Sequence, residues 1–345
     1  MASFLSGNSA IRHGLGQISS AAGRLRSHGA FWLKAFSQET IDLTLRTHTG
    51  LQTRIVESPG LSLSQEDLDE LVADLRTIAG KTLPAGSLTY GIFSGERERL
   101  TRAVVTLIVE EASGRPIAFN ALSVMSVELD GEPQDVTHLG LVMVDPDVQG
   151  QGLSWVLYGL TTLVLFARDG FRPKWISNVT QVPAVFGMVC DTFSDVFPSP
   201  DSSARQSFAH LQLARGIMRE HRAVFGVGSE AGFDEARFVI TDAYTGGSDA
   251  LKKTFEVAPK HRDEQYNAFC LRELDYVRGD DVLQLGRVDL AGARRYLQGE
   301  VPAGSMPALL AASAVLALQR LVLPLVHWLD DTRAFGTLRP RGSGR

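Results

Sequence analysis

The chain contains few cysteines and no concentrated positive charge. Its 345 residues include only Cys190 and Cys270, too few for a disulfide framework and without the Cys-x-x-Cys spacing of a zinc site. The formal net charge is -5, and no run of Lys and Arg is interleaved with aromatic residues. These absences argue against a disulfide-bonded secreted protein, a zinc protein and a nucleic-acid-binding protein. They favour a reducing compartment, and we expect the cytoplasm.

Acidic residues are missing from positions 1–38, where apolar side chains are spread among serines and glycines. The segment carries four basic residues instead: Arg12, Arg24, Arg26 and Lys34. This composition is typical of a mitochondrial transit peptide, or of an amphipathic segment attracted to anionic lipid. We therefore separate residues 1–49 as a basic N-terminal segment.

Charge is also scarce in two apolar stretches. Residues 148–167 carry none, but they begin with a glycine turn and leave too short a helix to cross a bilayer. Because that helix is apolar on nearly every face, we expect it to be buried all round. Residues 301–329 carry only Arg320 and are interrupted by prolines, so they either pack on the core or lie at a membrane interface. We assign residues 296–345 to an apolar helix that can associate with a membrane, followed by a basic tail.

The segment most informative about chemistry is residues 136–154. It predicts an apolar strand that breaks at Asp145 and Pro146, a glycine turn and the start of a long helix. Gly150 and Gly152 lack the Cβ atoms that would keep a phosphate from the backbone N–H groups, and a helix N-terminus attracts anions. The turn therefore predicts a pyrophosphate cradle, although glycines also occur where a chain simply turns.

The order of residues around this turn resembles the acetyl-CoA signature of the GNAT superfamily of acyl-CoA N-acyltransferases. That signature is Gln or Arg, two residues, Gly, one residue, then Gly or Ala. Gln149 and Gly152 occupy its first and fourth positions, and Ser154 replaces the final Gly or Ala. The strand before it ends in Val-x-Pro, as in the family.

The order of predicted elements extends the resemblance over residues 50–193. Strands are predicted at residues 53–58, 103–110, 116–129, 136–144 and 174–180, with helices at residues 65–79 and 153–167. A helix at residues 202–225 and late strands at residues 237–241 and 267–271 follow. The resemblance implies an α/β fold, with a mixed, mostly antiparallel twisted sheet flanked by helices and with added N- and C-terminal helical segments. Residues 50–295 then form the catalytic domain, with an insertion near residues 195–235.

The resemblance implies roles for individual residues. The backbone of Val142 and Val144 would bind the pantetheine arm of acyl-CoA, and Asn178 would contact that arm or the helix beside it. The pyrophosphate would lie on the amides of Gln149, Gly150, Gln151, Gly152, Leu153 and Ser154. No metal is expected, because the clusters at residues 261–264 and 280–281 are neighbours in sequence that seldom converge on one ion.

Acyl transfer to an amine requires that the amine lose a proton, and His138 is the predicted base. Some family members that acylate arylalkylamines carry a histidine at this position, although a structural histidine is the alternative. Strand alternation predicts that His138, Gly140, Val142 and Val144 share one side. Met188 occupies the position of the family's proton-donating tyrosine, which leaves Tyr158, Tyr244, Cys190 or an unassisted thiolate.

These residues predict an enzyme that transfers an acyl group from CoA to a primary amine. The apolar segments and basic ends favour a long-chain or lipid amine, such as a sphingoid base, bound peripherally at the cytosolic face of a membrane. One alternative is a soluble acetyltransferase for a small amine or amino acid, with the apolar segments in the core or in a homodimer interface. Another is a noncatalytic CoA-binding or scaffold protein.

Overall fold

The computed structural model describes residues 40–46, 50–84, 91–149, 153 and 155–299. The chain divides into two compact units, one of residues 44–300 and one of residues 1–43 and 301–345. The predicted N-terminal segment up to residue 39 and the apolar stretch 301–329 lie outside the described residues. Within the described part of the chain, no helix is both long and apolar enough to span a bilayer.

The described residues form a mixed α/β fold with a large, mostly antiparallel sheet. Its strands are β1 Asp42–Arg46, β2 Leu51–Glu57, β3 Ala103–Glu110, β4 Pro116–Leu129, β5 Glu132–His138, β6 Val142–Val144, β7 Lys174–Thr180, β8 Ser194–Phe197, β9 Gly232–Asp234, β10 Val239–Thr241 and β11 Asp281–Val288. The α-helices are α1 Pro59–Ser62, α2 Gln65–Ala79, α3 Thr161–Arg168, α4 Pro183–Thr192, α5 Phe208–Gly216, α6 Glu264–Glu273 and α7 Leu290–Gly299.

From β2 onward the strands lie in the order β2-β3-β4-β5-β7-β11-β10-β9, while β6 pairs with β4 and β8 with β11. Most neighbours are antiparallel, but β5 and β7 are parallel. Their connection contains a π-helical turn, Trp155–Leu160, that leads directly into α3. A parallel pair needs such a crossover, so the predicted glycine turn and its helix join two neighbouring strands.

Helices cover both sides of the sheet. We define face A as the side on which α2 and α5 pack against alternate residues of β4, including Phe119 and Met125. Face B is the opposite side, where Leu153 and Leu157 of the crossover pack on Ala118, and α4 packs with α6 around Phe186. The alternation of side chains along each strand then assigns every strand residue to one face.

Most predicted elements are confirmed. The helix at Gln65–Ala79 and the strands Ala103–Glu110, Pro116–Leu129 and Lys174–Thr180 have the predicted bounds. Ser64 begins α2 by accepting a hydrogen bond from Asp67 N–H, and Arg76 lies in its last turn, where a cation is favourable. Local capping and apolar spacing agree here, which explains why the sequence is readable.

Three expectations are wrong in part. Residues 267–271 belong to α6 and not to a strand, since Tyr266, Phe269 and Cys270 are buried at helical spacing. The helix predicted from residue 202 begins at Phe208, because Ser207 accepts a hydrogen bond from His210 N–H and caps it. The predicted strand 136–144 is two strands, β5 and β6.

Candidate functional site

Two neighbouring strands part in the middle of the sheet. β5 and β7 pair in parallel from Val136 with Trp175 to His138 with Ser177. Leu139 N–H then donates to the Ser177 carbonyl oxygen at 2.8 Å. Beyond this bond the chain enters β6, which pairs with β4, while β7 continues to Thr180 against β11. Among the described residues no strand lies between β6 and β7, so a gap opens there.

A bulge separates β5 from β6. Val142 pairs with Asn120 of β4 and His138 pairs with Ser123, so three residues oppose two in between. One extra residue reverses the alternation of faces. His138 therefore lies on face A, whereas Val142 and its neighbour Val144 lie on face B. The expectation that these three residues share one side is wrong, because it assumed an unbroken strand.

Gly140 lies within the bulge and permits its close approach to β4. A Cβ atom at this position would stand 1.9 Å from the carbonyl oxygen of Ala121. Ala121 N–H meanwhile donates to the Leu141 carbonyl oxygen at 3.1 Å, which holds the two backbones together. The close approach of the two backbones therefore requires glycine at this position. Space for a substrate is not needed to explain it.

The backbone of β6 presents polar groups to the gap. Leu141 O accepts from β4, and Asp145 N–H donates to the carbonyl oxygen of Ile117 at 2.7 Å. Since alternate residues of a strand point their N–H and C=O groups in opposite directions, Val142 and Val144 direct theirs away from β4. By the same alternation Val179, two residues beyond Ser177 in β7, points its backbone groups into the gap. Val179 was missed because only the strand register identifies it.

The residues that precede the glycine turn are held in place by hydrogen bonds. Asp145 is buried and accepts hydrogen bonds from Asp147 N–H at 3.0 Å and from Arg115 Nη1 at 3.0 Å. Arg115 also binds Glu110, and these hydrogen bonds hold the pKa of the Glu110 carboxyl well below its usual range. Gln149 follows at the end of the turn Pro146–Val148. Gly150, Gln151, Gly152 and Ser154 lie outside the described residues, and Leu153 is buried in the face B core.

The crossover helix is tied to the sheet by polar contacts on face B. Asn120 Nδ2 donates to the carbonyl oxygen of Leu157 at 3.0 Å, and the hydroxyls of Thr106 and Thr161 are hydrogen-bonded. The expectation that this helix is buried all round is met in part. Leu157, Val164 and Phe166 are buried and lie on different sides of the helix, whereas Tyr158, Leu163 and Leu165 are half-buried.

His138 is enclosed on face A. Its side chain is 4% exposed, its Nδ1 lies 3.1 Å from Ser177 Oγ, and its ring centroid lies 5.1 Å from that of Phe225. Burial lowers the pKa of the imidazole to about 4. At neutral pH the ring is therefore uncharged and a weak proton acceptor, which favours the structural alternative for this histidine.

Asn178 lies on face B beside α4. Its Nδ2 donates to Gln284 Oε1 at 3.0 Å, and Gln284 Nε2 in turn lies 3.3 Å from Cys190 Sγ. Burial raises the pKa of the Cys190 thiol to about 12, which makes it a poor proton donor to a departing thiolate. Met188 is half-buried on the same helix. This chain of contacts joins β7, β11 and α4.

The other proposed proton donors lie elsewhere. Tyr158 belongs to the π-helical turn, and burial raises the pKa of its phenol. Tyr244 donates a hydrogen bond to Asp281 Oδ1 at 2.9 Å on face A. In the sequence Asp281 was considered only as a metal ligand, whereas the structure places it in contact with Tyr244. In the part of the chain described, no three His, Cys, Asp or Glu side chains are grouped as a metal would require.

Neither the family models nor the curated proteins compared with the chain give a match. The comparison with solved structures does give matches. A ribosomal-protein-S5-alanine acetyltransferase from Vibrio fischeri is 16% identical, with a TM-score of 0.29, over 41% of this chain and 75% of that one. A probable N-acyltransferase from Enterococcus faecalis is 14% identical, with a TM-score of 0.28, over 42% and 33%. An acetyltransferase from Trypanosoma brucei is 23% identical, with a TM-score of 0.19, over 34% and 75%. Similarities this weak do not transfer an activity to this chain.

Proposed function

We propose that the chain is an acyl-CoA-dependent N-acyltransferase. The observation that carries the proposal is the gap between β6 and β7, which is lined by the backbone groups of Val142, Val144 and Val179. The pantetheine arm of CoA is an extended chain with two amide groups, so it can pair with strand edges as an added strand does. Acyl-CoA with an acetyl or a longer chain is the proposed donor, and no metal takes part.

A backbone donor can be removed at the gap without touching the β4 ladder. Because Val142 N–H points away from β4, Val142→Pro should keep the pairing of β6 with Asn120. It should weaken acetyl-CoA binding about 10-fold or more, which corresponds to the free energy of about one hydrogen bond to the ligand. Val142→Ala keeps the N–H group and is the matched control. Calorimetric titration with acetyl-CoA measures both. Equal affinities for the two variants would contradict the proposed binding edge.

The turn after Gln149 is the proposed pyrophosphate site. It follows the hydrogen-bonded pair Asp145 and Arg115 and leads into a helix N-terminus, where backbone N–H groups favour an anion. Gly152→Asp would add both a side chain and a negative charge there, and we expect at least about 100-fold weaker CoA binding. Ser154→Gly, which restores the family residue, should bind CoA as tightly as the parent chain. A measured loss in both variants, or in neither, would argue against this site.

For the acceptor we propose a primary amine, with a long-chain or lipid amine such as a sphingoid base as the favoured class. The support is the apolar sequence of residues 301–329 and the basic composition of both ends, which suit peripheral contact with the cytosolic face of a membrane. Release of free CoA thiol from acetyl-CoA and palmitoyl-CoA, with ethylamine and with sphinganine as acceptors, separates the alternatives. Faster release with sphinganine supports the lipid acceptor.

Two other outcomes have clear meanings. Preference for acetyl-CoA and ethylamine would identify a soluble acetyltransferase for small amines, with a homodimer as one way to cover the apolar segments. CoA binding without thiol release from any donor and acceptor pair would identify a noncatalytic CoA-binding protein, an alternative that Met188 in place of the family's tyrosine motivates. Absence of CoA binding would contradict the proposed function itself.

A further inference from the structure

A buried polar cluster on face A joins the end of β7 to the start of β11. Thr180 pairs with Val282, so the next residues, Gln181 and Asp281, are adjacent and on the same face as Ser177. Their residues are 1% and 6% exposed. Gln181 lies two residues beyond the gap-facing backbone of Val179, which is about 7 Å along the strand. Gln181 therefore lies near the gap, and Asp281 lies on β11, one strand farther from β6.

Tyr244 connects the two side chains. Its hydroxyl lies 2.9 Å from Asp281 Oδ1. We assign the Gln181 amide the orientation that satisfies both of its ends: its nitrogen then donates to the Lys253 carbonyl oxygen at 3.1 Å, and its oxygen accepts from Lys253 N–H at 2.7 Å. In this orientation the Gln181 oxygen also lies 2.6 Å from the Tyr244 hydroxyl. One phenol thus stands between a carboxylate and an amide oxygen.

When Asp281 is ionised, these three groups have one proton for two close contacts, so one of the contacts is not a hydrogen bond. A phenol has one proton, and Tyr244 cannot donate it to both Asp281 and Gln181. If Asp281 is protonated, it donates to the Tyr244 oxygen, and Tyr244 donates to Gln181, so every contact is a hydrogen bond. Burial raises the pKa of the Asp281 carboxyl to about 7, with a smaller rise from the neighbouring Asp280, while the hydrogen bond from Tyr244 to an ionised Asp281 acts in the opposite direction. The net direction of the shift agrees with the proton count.

The nearby charges do not neutralise Asp281. Arg278 binds both oxygens of Asp280, at 2.7 Å each. Lys252 donates to the carbonyl oxygens of Val277 and Arg278, at 2.7 and 3.2 Å. Within the described part of the chain no cationic side chain forms an ion pair with Asp281. The positive partner that an ionised Asp281 needs can therefore come from a bound ligand.

We propose that Tyr244 and Asp281 form the proton-accepting end of the acceptor site and that they receive the proton of an ammonium acceptor. The inference rests on the proposed acyl transfer. The ammonium donates a proton to the Tyr244 oxygen while the Tyr244 proton moves to Asp281. The neutral amine then attacks the thioester carbonyl carbon, forming the C–N bond. The C–S bond breaks, its electron pair leaves on sulfur, and the second amine proton goes to the CoA thiolate. Asp281 returns its proton to water.

Two variants test this role, with one control. Asp281→Asn keeps the shape and the acceptor for Tyr244 but cannot take up a proton, and Tyr244→Phe removes the link. Tyr276→Phe serves as the control. It removes a different hydroxyl, one that donates a hydrogen bond to the backbone carbonyl oxygen of Gln181 at 2.7 Å. All three should bind acetyl-CoA as the parent chain does. We expect transfer to hexylamine at pH 7 to fall at least about 100-fold in the first two and less than about threefold in the control.

The readout specific to this role is the pH profile. The rate for the parent chain should rise through about pH 7 with unit slope, and this inflection should vanish in Asp281→Asn. An infrared difference spectrum between the parent chain and Asp281→Asn should show a protonated carboxyl that titrates near the same pH, and hexylamine should shift that titration downward. The spectrum reports on Asp281 even if no transfer occurs. Transfer with an unchanged profile in both variants, or a carboxyl that ignores hexylamine, would overturn the inference. The first result would leave the proposed function intact.

Discussion

Gly140→Ala is expected to destabilise the chain by about 3 kcal/mol or more, the range of severe packing and backbone defects. The added Cβ atom would lie 1.9 Å from the Ala121 carbonyl oxygen and 3.1 Å from its carbonyl carbon. Both are backbone atoms of β4, so relief requires separation of β4 from the bulge and loss of the hydrogen bond between Ala121 and Leu141. Denaturant unfolding, followed by circular dichroism, measures the loss.

The matched control is Gly131→Ala in the turn between β4 and β5. Gly131 has φ +83° and open space where a Cβ would stand, so alanine there should cost about 1 kcal/mol through backbone strain alone. Equal losses at the two positions would mean that Gly140 does not make a close crossing. His138 and Val142 would then not be held on opposite faces by this bulge.

The second large effect is a pH dependence of stability with two opposite parts. The pKa of Asp281 rises from 3.8 to about 7 on folding, so folding favours its protonated form. Its contribution is fully present below pH 3.8 and is lost as pH rises through about 7, by about 1.4 kcal/mol per pH unit. Asp281→Asn should therefore gain stability over the parent chain by about 4 kcal/mol between pH 4 and 8, the free energy that this shift implies.

His138 acts in the other direction. Its pKa falls from 6.5 to about 4 on folding, so the folded state favours the neutral ring. That contribution is present above pH 6.5 and is lost as pH falls toward 4. His138→Gln keeps a polar group near Ser177. In this variant the free energy of unfolding should fall less steeply as the pH falls from 6.5 to 4. In the parent chain the two slopes oppose each other between pH 4 and 6.5, so the two variants should show opposite slopes relative to it.

Unfolding free energies measured across this range for the parent chain and both variants separate the contributions. Gly131→Ala again offers a control, because it neither removes nor adds a titratable group and has open space around the new Cβ atom. Its difference from the parent chain should be nearly constant with pH in this window. A constant difference for Asp281→Asn as well would show that this carboxyl titrates normally in the folded protein.

The sequence predicts the regular part of this fold well. The bounds of α2, β3, β4 and β7 follow from local signals: a Ser64 cap, apolar periodicity and short polar turns. These signals act within a few residues. A strand such as Ala103–Glu110, buried on both faces, needs no knowledge of its partners to be recognised.

The candidate site is less readable because its features depend on pairing. The bulge at residues 139–141 becomes visible only when β4 supplies the opposing register, and it reverses the face of His138. Asp281 is buried by distant parts of the chain, and its neighbours Tyr244 and Gln181 are 37 and 100 residues away in sequence. The mistaken strand at residues 267–271 shows the same limit, since five apolar and polar residues fit either period until α4 is placed beside them.

Hydrogen exchange at single amides, with and without acetyl-CoA, tests the central claim most directly. Val142, Val144 and Val179 present their N–H groups to the gap, so acetyl-CoA should slow exchange at these three amides. Met143, whose backbone pairs with Phe119 of β4, should already exchange slowly and change little. Protection of the three gap-facing amides would support the pantetheine site between β6 and β7. Binding of acetyl-CoA without that protection, or no binding at all, would contradict it.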